Sequence, residues 1–291
     1  MPRRGLLYLR IGVGIVAVSF GAILVRFAGT ASPLAIAGWR LGLAGIVLVP
    51  LALARGRLAR IPRRDLFWAI VSGVALAFHF VLWIASLRLT SVASSVLFVT
   101  THPIFVGIGA HFVLRERVGR SLVVGIALAI LGGGLIGFGD LRLGAVAVRG
   151  DLLALGGGLA VAVYFLIGRH LRRTVTLLDY VAITYGTAAV LVLATCLAIG
   201  TPLAGFPRAT YLALALLAVG PQMIGHTTFN WALAHLPASK VSVMILAEPV
   251  GSALLALLFF GETPTWPSGI GAAIILVGIY VSLRTKEAPD G

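Results

Sequence analysis

The chain has 291 residues, 59% of them hydrophobic and only 11% charged, with a mean hydropathy of +1.06. A soluble domain carries about 25% charged residues, so a sizeable soluble domain is excluded and most side chains are solvated by lipid or by other helices. The formal net charge of +14 suits phosphate backbones, but the basic residues fall in short clusters between apolar runs. They form no continuous stripe and have no interleaved aromatics, so no nucleic-acid partner is expected.

A helix crossing roughly 30 Å of hydrocarbon needs about 20 mostly apolar residues. In chain order, such runs lie near 8–28, 33–54, 66–87, 92–114, 120–138, 151–168, 179–199, 208–234, 239–260 and 266–284, which predicts ten transmembrane helices. The first, within MPRRGLLYLRIGVGIVAVSFGAILV, has a basic flank but no small-residue cleavage site. It is expected to be a retained helix and not a signal peptide. Linkers as short as GTAS and LTS force adjacent spans into antiparallel hairpins. The single cysteine, Cys196, lies in an apolar run and reads as a small buried residue. One thiol allows neither a disulfide framework nor a cysteine metal site.

Orientation follows from the Lys/Arg bias of the loops. With the N-terminus in the cytoplasm, the inner segments hold Arg3, Arg4, Arg55, Arg57, Arg60, Arg63, Arg64, Arg115, Arg117, Arg120, Arg169, Arg172, Arg173, Lys240, Arg284 and Lys286. The outer loops hold Arg88, Arg142, Arg149 and Arg208. This asymmetry predicts a multi-pass protein of the cell inner (plasma) membrane with both termini cytoplasmic.

The sequence also repeats itself. Pro103 matches Pro249, since 249 − 103 is 146, and Glu116–Glu262, Gly125–Gly271 and Gly132–Gly278 share that offset. SVLFVTTHPIFVGIGAHFVLRE aligns with KVSVMILAEPVGSALLALLFFGE without a gap, and VAVSF matches VAVYF at 145. The division expected is 1–145 and 146–291, five helices each. An odd number of spans per repeat makes the halves insert with opposite orientation, so Glu116 falls on the cytoplasmic side and Glu262 on the outer side. Inverted repeats of this kind recur in secondary transporters, with the binding site at the midplane between them.

Ten spans in a 5+5 inverted repeat, with Pro followed thirteen residues later by Glu in each copy, resemble the EamA family of the drug/metabolite transporter superfamily. LAEPVGSALLALLFFGE is similar to that family's ninth helix, and WRLGLAG to the Arg-containing start of its second. The resemblance covers essentially the whole chain. It implies an all-α membrane fold in which helices three, four, eight and nine help line a central cavity. It also implies amino acids or other small metabolites as substrates, and no invariant catalytic set. His102, before the first-repeat proline, departs from the apolar or small residue that would be ordinary there.

Charged groups at bilayer depth are costly and face the bundle interior or a water-filled cavity. Of nine acidic residues, Glu248 alone falls mid-span, next to Pro249 and opposite His102 in the repeat register. It is a candidate proton or substrate site, or else a structural partner for Arg, His or backbone donors. Pro103 and Pro249 are the candidate hinges. Arg40, about seven residues inside the second span, has three open roles: receiving a substrate carboxylate, pairing with Glu248, or snorkelling outward. Arg26, closer to its helix end, is expected to snorkel. Gln222, His226 and Asn230 share one helix face, with Trp231 adjacent, and His79, Trp83 and Ser86 share another. Both stripes are read as cavity lining, with interhelical hydrogen bonding as the alternative. Phe98 and Tyr164 add aromatic faces for a flat or cationic ligand. No His or carboxylate cluster has ligand spacing, so neither metal nor cofactor is expected.

The function expected is alternating-access transport, with export of amino acids or related compounds and protons as a candidate coupling ion. The partners are a small-molecule substrate and the lipid bilayer, and the protein is a monomer or homodimer. The alternatives are an importer of the same fold, a passive channel, or an intramembrane enzyme using Glu248 with His102 or His226 as acid and base.

Overall fold

A computed structural model describes residues 4–116, 119–141, 144–263 and 265–283, and among these every regular element is helical. Arg3, Arg117, Arg142, Arg284 and Lys286, part of the charge asymmetry above, lie outside the described residues.

The elements in order are α1 (Arg4–Phe27), α2 (Pro33–Ala54), α3 (Arg63–Ser86), α4 (Val92–Val99), α5 (His102–Phe112), α6 (Arg120–Leu141), α7 (Ala145–Leu171) and α8 (Leu177–Ala198). Next come α9 (Arg208–Leu217), a π-helical stretch (Ala218–His226), α10 (Thr227–Ala232), α11 (Ala238–Ile245), α12 (Glu248–Phe260) and α13 (Trp266–Leu283). Eight segments of these described residues are long and apolar enough to cross a membrane, three of them being broken helices, and Arg120–Leu135 of α6 and Trp266–Val281 of α13 add shorter apolar stretches.

The side-chain distribution is inverted relative to a water-soluble protein. Ile46, Phe112, Val113, Val190, Leu197 and Leu258 are among the most exposed residues, while Arg40, His79, His102, Gln222, His226 and Asn230 are buried. Contiguous exposed apolar surface of this kind marks a membrane-facing protein. It is a multi-pass membrane protein.

Local chemistry sets the helix starts. The short linkers end in Ser32, Ser91 and Thr176, whose hydroxyls accept from the backbone N–H of Ala35, Ser94 and Asp179. Each thereby satisfies one otherwise orphaned donor of the first turn. Pro33 then opens α2, where a missing N–H costs nothing.

Two segments break where the repeat places its prolines. α4 stops at Val99 and α5 restarts at His102, with Pro103 at its head; α11 stops at Ile245 and α12 restarts at Glu248, with Pro249 at its head. A proline cannot donate to the preceding turn and its ring displaces that turn's carbonyl. In the first break the freed carbonyls are taken by side chains: Thr100 donates to Leu97 (2.9 Å), Thr101 to Phe98 (2.7 Å) and the His102 ring to Val99 (3.3 Å). The uniform helix expected over 208–234 is corrected to α9, π stretch and α10, because Pro221 inside it interrupts the normal ladder.

Close helix approach relies on glycine. A Cβ on Gly132 of α6 would meet the Gly271 carbonyl of α13 at 2.5 Å, and one on Gly278 would meet the Gly125 carbonyl at 2.8 Å. α3 lies along α7 and α2 against α8, while α1 packs on α12 and the π stretch. These contacts enclose a polar interior at the level of the helix breaks.

Candidate functional site

A small cavity is lined by Arg40 from α2, His79, Phe80 and Trp83 from α3, Val99 and Thr100 at the first break, His102 from α5, His226 from the π stretch and Glu248 from α12. Val18, Val161, Phe165, Phe229 and Ile245 complete it with apolar wall. Six of the residues named from the sequence, Arg40, His79, Trp83, His102, His226 and Glu248, thus meet around one space.

Arg40 is only 1% exposed and points inward, which removes the snorkelling alternative. Its guanidinium carbon sits 3.9 Å from the centre of the Phe80 ring and 5.9 Å from that of Trp83. Its Nε donates to the Gln222 side-chain oxygen at 2.8 Å, while its Nη1 is buried without a partner. Gln222 is fully buried behind Arg40 and orients it.

The histidines have defined polarity. His79 Nδ1 lies 2.9 Å from the Gly157 carbonyl and His102 Nδ1 faces the Val99 carbonyl, so in each ring Nδ1 carries the hydrogen and Nε2 is left as the acceptor. The His79 ring stacks parallel to Trp83 at 6.3 Å and lies 6.0 Å from the ring of His226. Glu248 is half-buried at the N-terminus of α12, where the unpaired backbone N–H groups favour negative charge. Among the described residues it forms no ion pair.

Asn230 belongs to an adjoining polar knot. Its amide nitrogen contacts the Tyr164 hydroxyl, the Tyr185 hydroxyl (3.2 Å) and the His226 carbonyl (2.9 Å), and Tyr185 meets Thr227 at 3.2 Å. Tyr180 continues the polar network toward Ser72 at 2.6 Å. Trp231 stands apart. It is half-buried and outside the cavity, with Arg10 of α1 4.9 Å from its ring centre and the tilted ring of His235 at 4.5 Å. One residue past Asn230 means about 100° around the helix, enough to turn its ring away.

Three positions were missed or misassigned in the sequence. Asp151, expected at a helix start, is the seventh residue of α7 and buried, accepting from Ser94 at 3.0 Å. Tyr180 and Tyr185, fully buried, looked like ordinary packing in an apolar helix. Arg26, at the end of α1, pairs with Glu262 and reaches the Thr90 carbonyl at 3.4 Å.

That pair has a counterpart at the other end of the helices. Arg169, in the last turn of α7, donates to Glu116 at 2.8 Å and to the Leu233 carbonyl at 2.8 Å, with Arg173 3.9 Å from the same carboxylate. Both glutamates emerge from the same helix ending. Arg115 (φ 55°) and Gly261 (φ 67°) are left-handed, and the next N–H reaches back six residues, from Glu116 to Ala110 at 2.9 Å and from Glu262 to Ala256 at 3.4 Å.

The sequence model of the EamA-like transporter family matches residues 3–138 and again 148–284. An uncharacterized transporter of Bacillus subtilis, YyaM, is 26% identical over 90% of this chain and 88% of its own. An uncharacterized transporter of Archaeoglobus fulgidus is 27% identical over 94% of this chain and 95% of its own. A probable terminal-alkyne amino-acid exporter of Streptantibioticus cattleyicolor is 37% identical over 76 residues, 26% of each chain. One solved crystal structure, described only as that of a protein, shares the fold with a TM-score of 0.76 at 23% identity, covering 96% of this chain and 98% of its own.

Proposed function

The chain belongs to the EamA-like transporter family, and from that premise we infer that it is a secondary transporter working by alternating access, exporting amino acids or related compounds across the plasma membrane. In this reading ten spans form a 5+5 inverted repeat, residues 1–145 and 146–291, in the cell inner membrane with both termini cytoplasmic. The family matching twice, once in each half, supports that division.

One observation carries the reading: the halves contact each other reciprocally. Gly132 meets Gly271 and Gly278 meets Gly125; since 132 + 146 is 278 and 125 + 146 is 271, exchanging the halves maps the α6–α13 crossing onto itself. The ion pairs behave alike. Glu116 of the first half holds Arg169 of the second, and Glu262 of the second holds Arg26 of the first. In an inverted repeat these two clasps close opposite mouths of one cavity. Alternating access needs two such closures that trade places, and the proline breaks beside Pro103 and Pro249 supply points where each half bends.

Export of amino acids rests on the family and on the partial likeness to an amino-acid exporter. Proton coupling rests on Glu248, a carboxylate that lines the cavity and, among the described residues, makes no ion pair. Purified protein in proteoliposomes should move at least one labelled amino acid, faster with an imposed pH gradient. Glu248→Gln should transport at a rate that no longer varies with pH. Flux absent across a full amino-acid panel ends the substrate assignment, and normal pH-dependent transport by Glu248→Gln ends the proton role.

A further inference from the structure

Among the described residues, two hydrogen-bond donors of the cavity wall have no acceptor, beside two unpartnered ring nitrogens, His102 Nε2 and His226 Nδ1. Arg40 Nη1 and Trp83 Nε1 are buried and unpartnered, on side chains 1% and 4% exposed. Native interiors leave few such atoms, and each one calls for an explanation. Here the guanidinium is also a charge in a low-dielectric setting, and its counter-charge in the cavity, Glu248, stands beyond ion-pair distance, which makes an unmet donor costly.

The geometry narrows what satisfies them. Gln222 occupies Arg40 Nε, and the Phe80 ring covers one face of the guanidinium. The approach left free is along the edge carrying the two Nη groups. That edge presents two parallel N–H bonds, the spacing of the two oxygens of a carboxylate. Trp83 offers its indole N–H from one turn further along the helix that carries Phe80, against the same guanidinium. Glu248, the carboxylate of the cavity, is not within ion-pair distance of Arg40, so the protein does not fill the position itself.

We propose that the ligand of this cavity is held by a carboxylate, gripped end-on by the Arg40 Nη groups and capped by Trp83 Nε1, with Gln222 as the residue that positions the guanidinium. Recognition of the carboxylate, and not of an ammonium or a ring, is then what admits a molecule. The inference takes from the transporter reading only that this cavity is the binding site.

The test separates binding from flux. Detergent-purified protein is heated with three matched pools at equal concentration: the proteinogenic amino acids, their carboxamides, and their decarboxylated amines. Expected is a rise in Tm with the acids alone. Arg40→Gln should abolish that rise. Trp83→Phe, which keeps the ring and removes one N–H, should weaken binding by about tenfold to a hundredfold. Elution of each variant as a monodisperse peak with a cooperative melt shows that it has folded. Trp83→Phe carries the test alone if Arg40→Gln does not fold. Amides or amines stabilising as well as acids overturns the proposal, as does no response to any acid or an undiminished response in both variants. Acids that bind but are not moved across a proteoliposome membrane would leave this site standing and remove the transporter reading.

Discussion

The two N–H bonds of the Asn230 amide are shared among three neighbours, two tyrosine hydroxyls and a backbone carbonyl. Replacing Asn230 with leucine of similar volume takes the amide away from the Tyr164 hydroxyl inside the bundle, while Tyr185 keeps its contact with Thr227. The expected cost is about 1–3 kcal/mol, visible as a lowered thermal midpoint in detergent; an unchanged midpoint would mean the knot is not structural. Of the two tyrosines Asn230 holds, Tyr164 reads as an aromatic face in the sequence, whereas Tyr185, like Tyr180 nearby, was invisible because it sits in an apolar run where an aromatic residue signals packing. Charged residues were easier to place. Arg40 and Glu248 stand out in sequence since a charge at bilayer depth needs a reason, and both line the cavity. Trp231 shows the limit: adjacency in sequence is a third of a turn in space.

At the scale of elements, apolar run length located every long helix to within a few residues, apart from α7, which starts at Ala145 and not near 151. The α4–α5 and α11–α12 breaks were marked by Pro103 and Pro249. The π stretch was not, since Pro221 alone does not say whether a helix kinks, ends or widens. The glycines are the most sensitive points of packing. Gly132→Val places two methyl groups where a Cβ alone already meets the Gly271 carbonyl at 2.5 Å. Separating α6 from α13 should cost about 1–3 kcal/mol, whereas Gly134→Val, where a Cβ meets nothing within 4 Å, should cost far less. Equal midpoints for the two variants would remove the close approach as a requirement.

Over the whole molecule, the two clasps predict opposite responses to the same chemical change. A Val161→Cys reporter in a Cys196→Ser background places one thiol on the cavity wall. Glu116→Gln should raise its labelling by a membrane-impermeant maleimide from the cytoplasmic side, and Glu262→Gln from the outer side, each by severalfold. Both variants increasing labelling from one side would rule out a paired exchange of closures. The register at offset 146 was legible because proline, glycine and glutamate survive in matching places. The arginines that complete the clasps were not, since Arg26 and Arg169 are 143 apart and fall off that register.

The two clasps also differ in their access to water. Arg26 and Glu262 are 26% and 33% exposed, Arg169 and Glu116 only 15% and 12%. Dissolved ions weaken an attraction between wetted charges, with a screening distance of about 8 Å at physiological ionic strength, and barely touch a sheltered one. In the proposed orientation the wetter pair faces the world outside the cell. Raising the salt outside should then loosen that mouth more than the cytoplasmic one, read as a larger gain in outside labelling of the Val161→Cys reporter than the same salt produces from within.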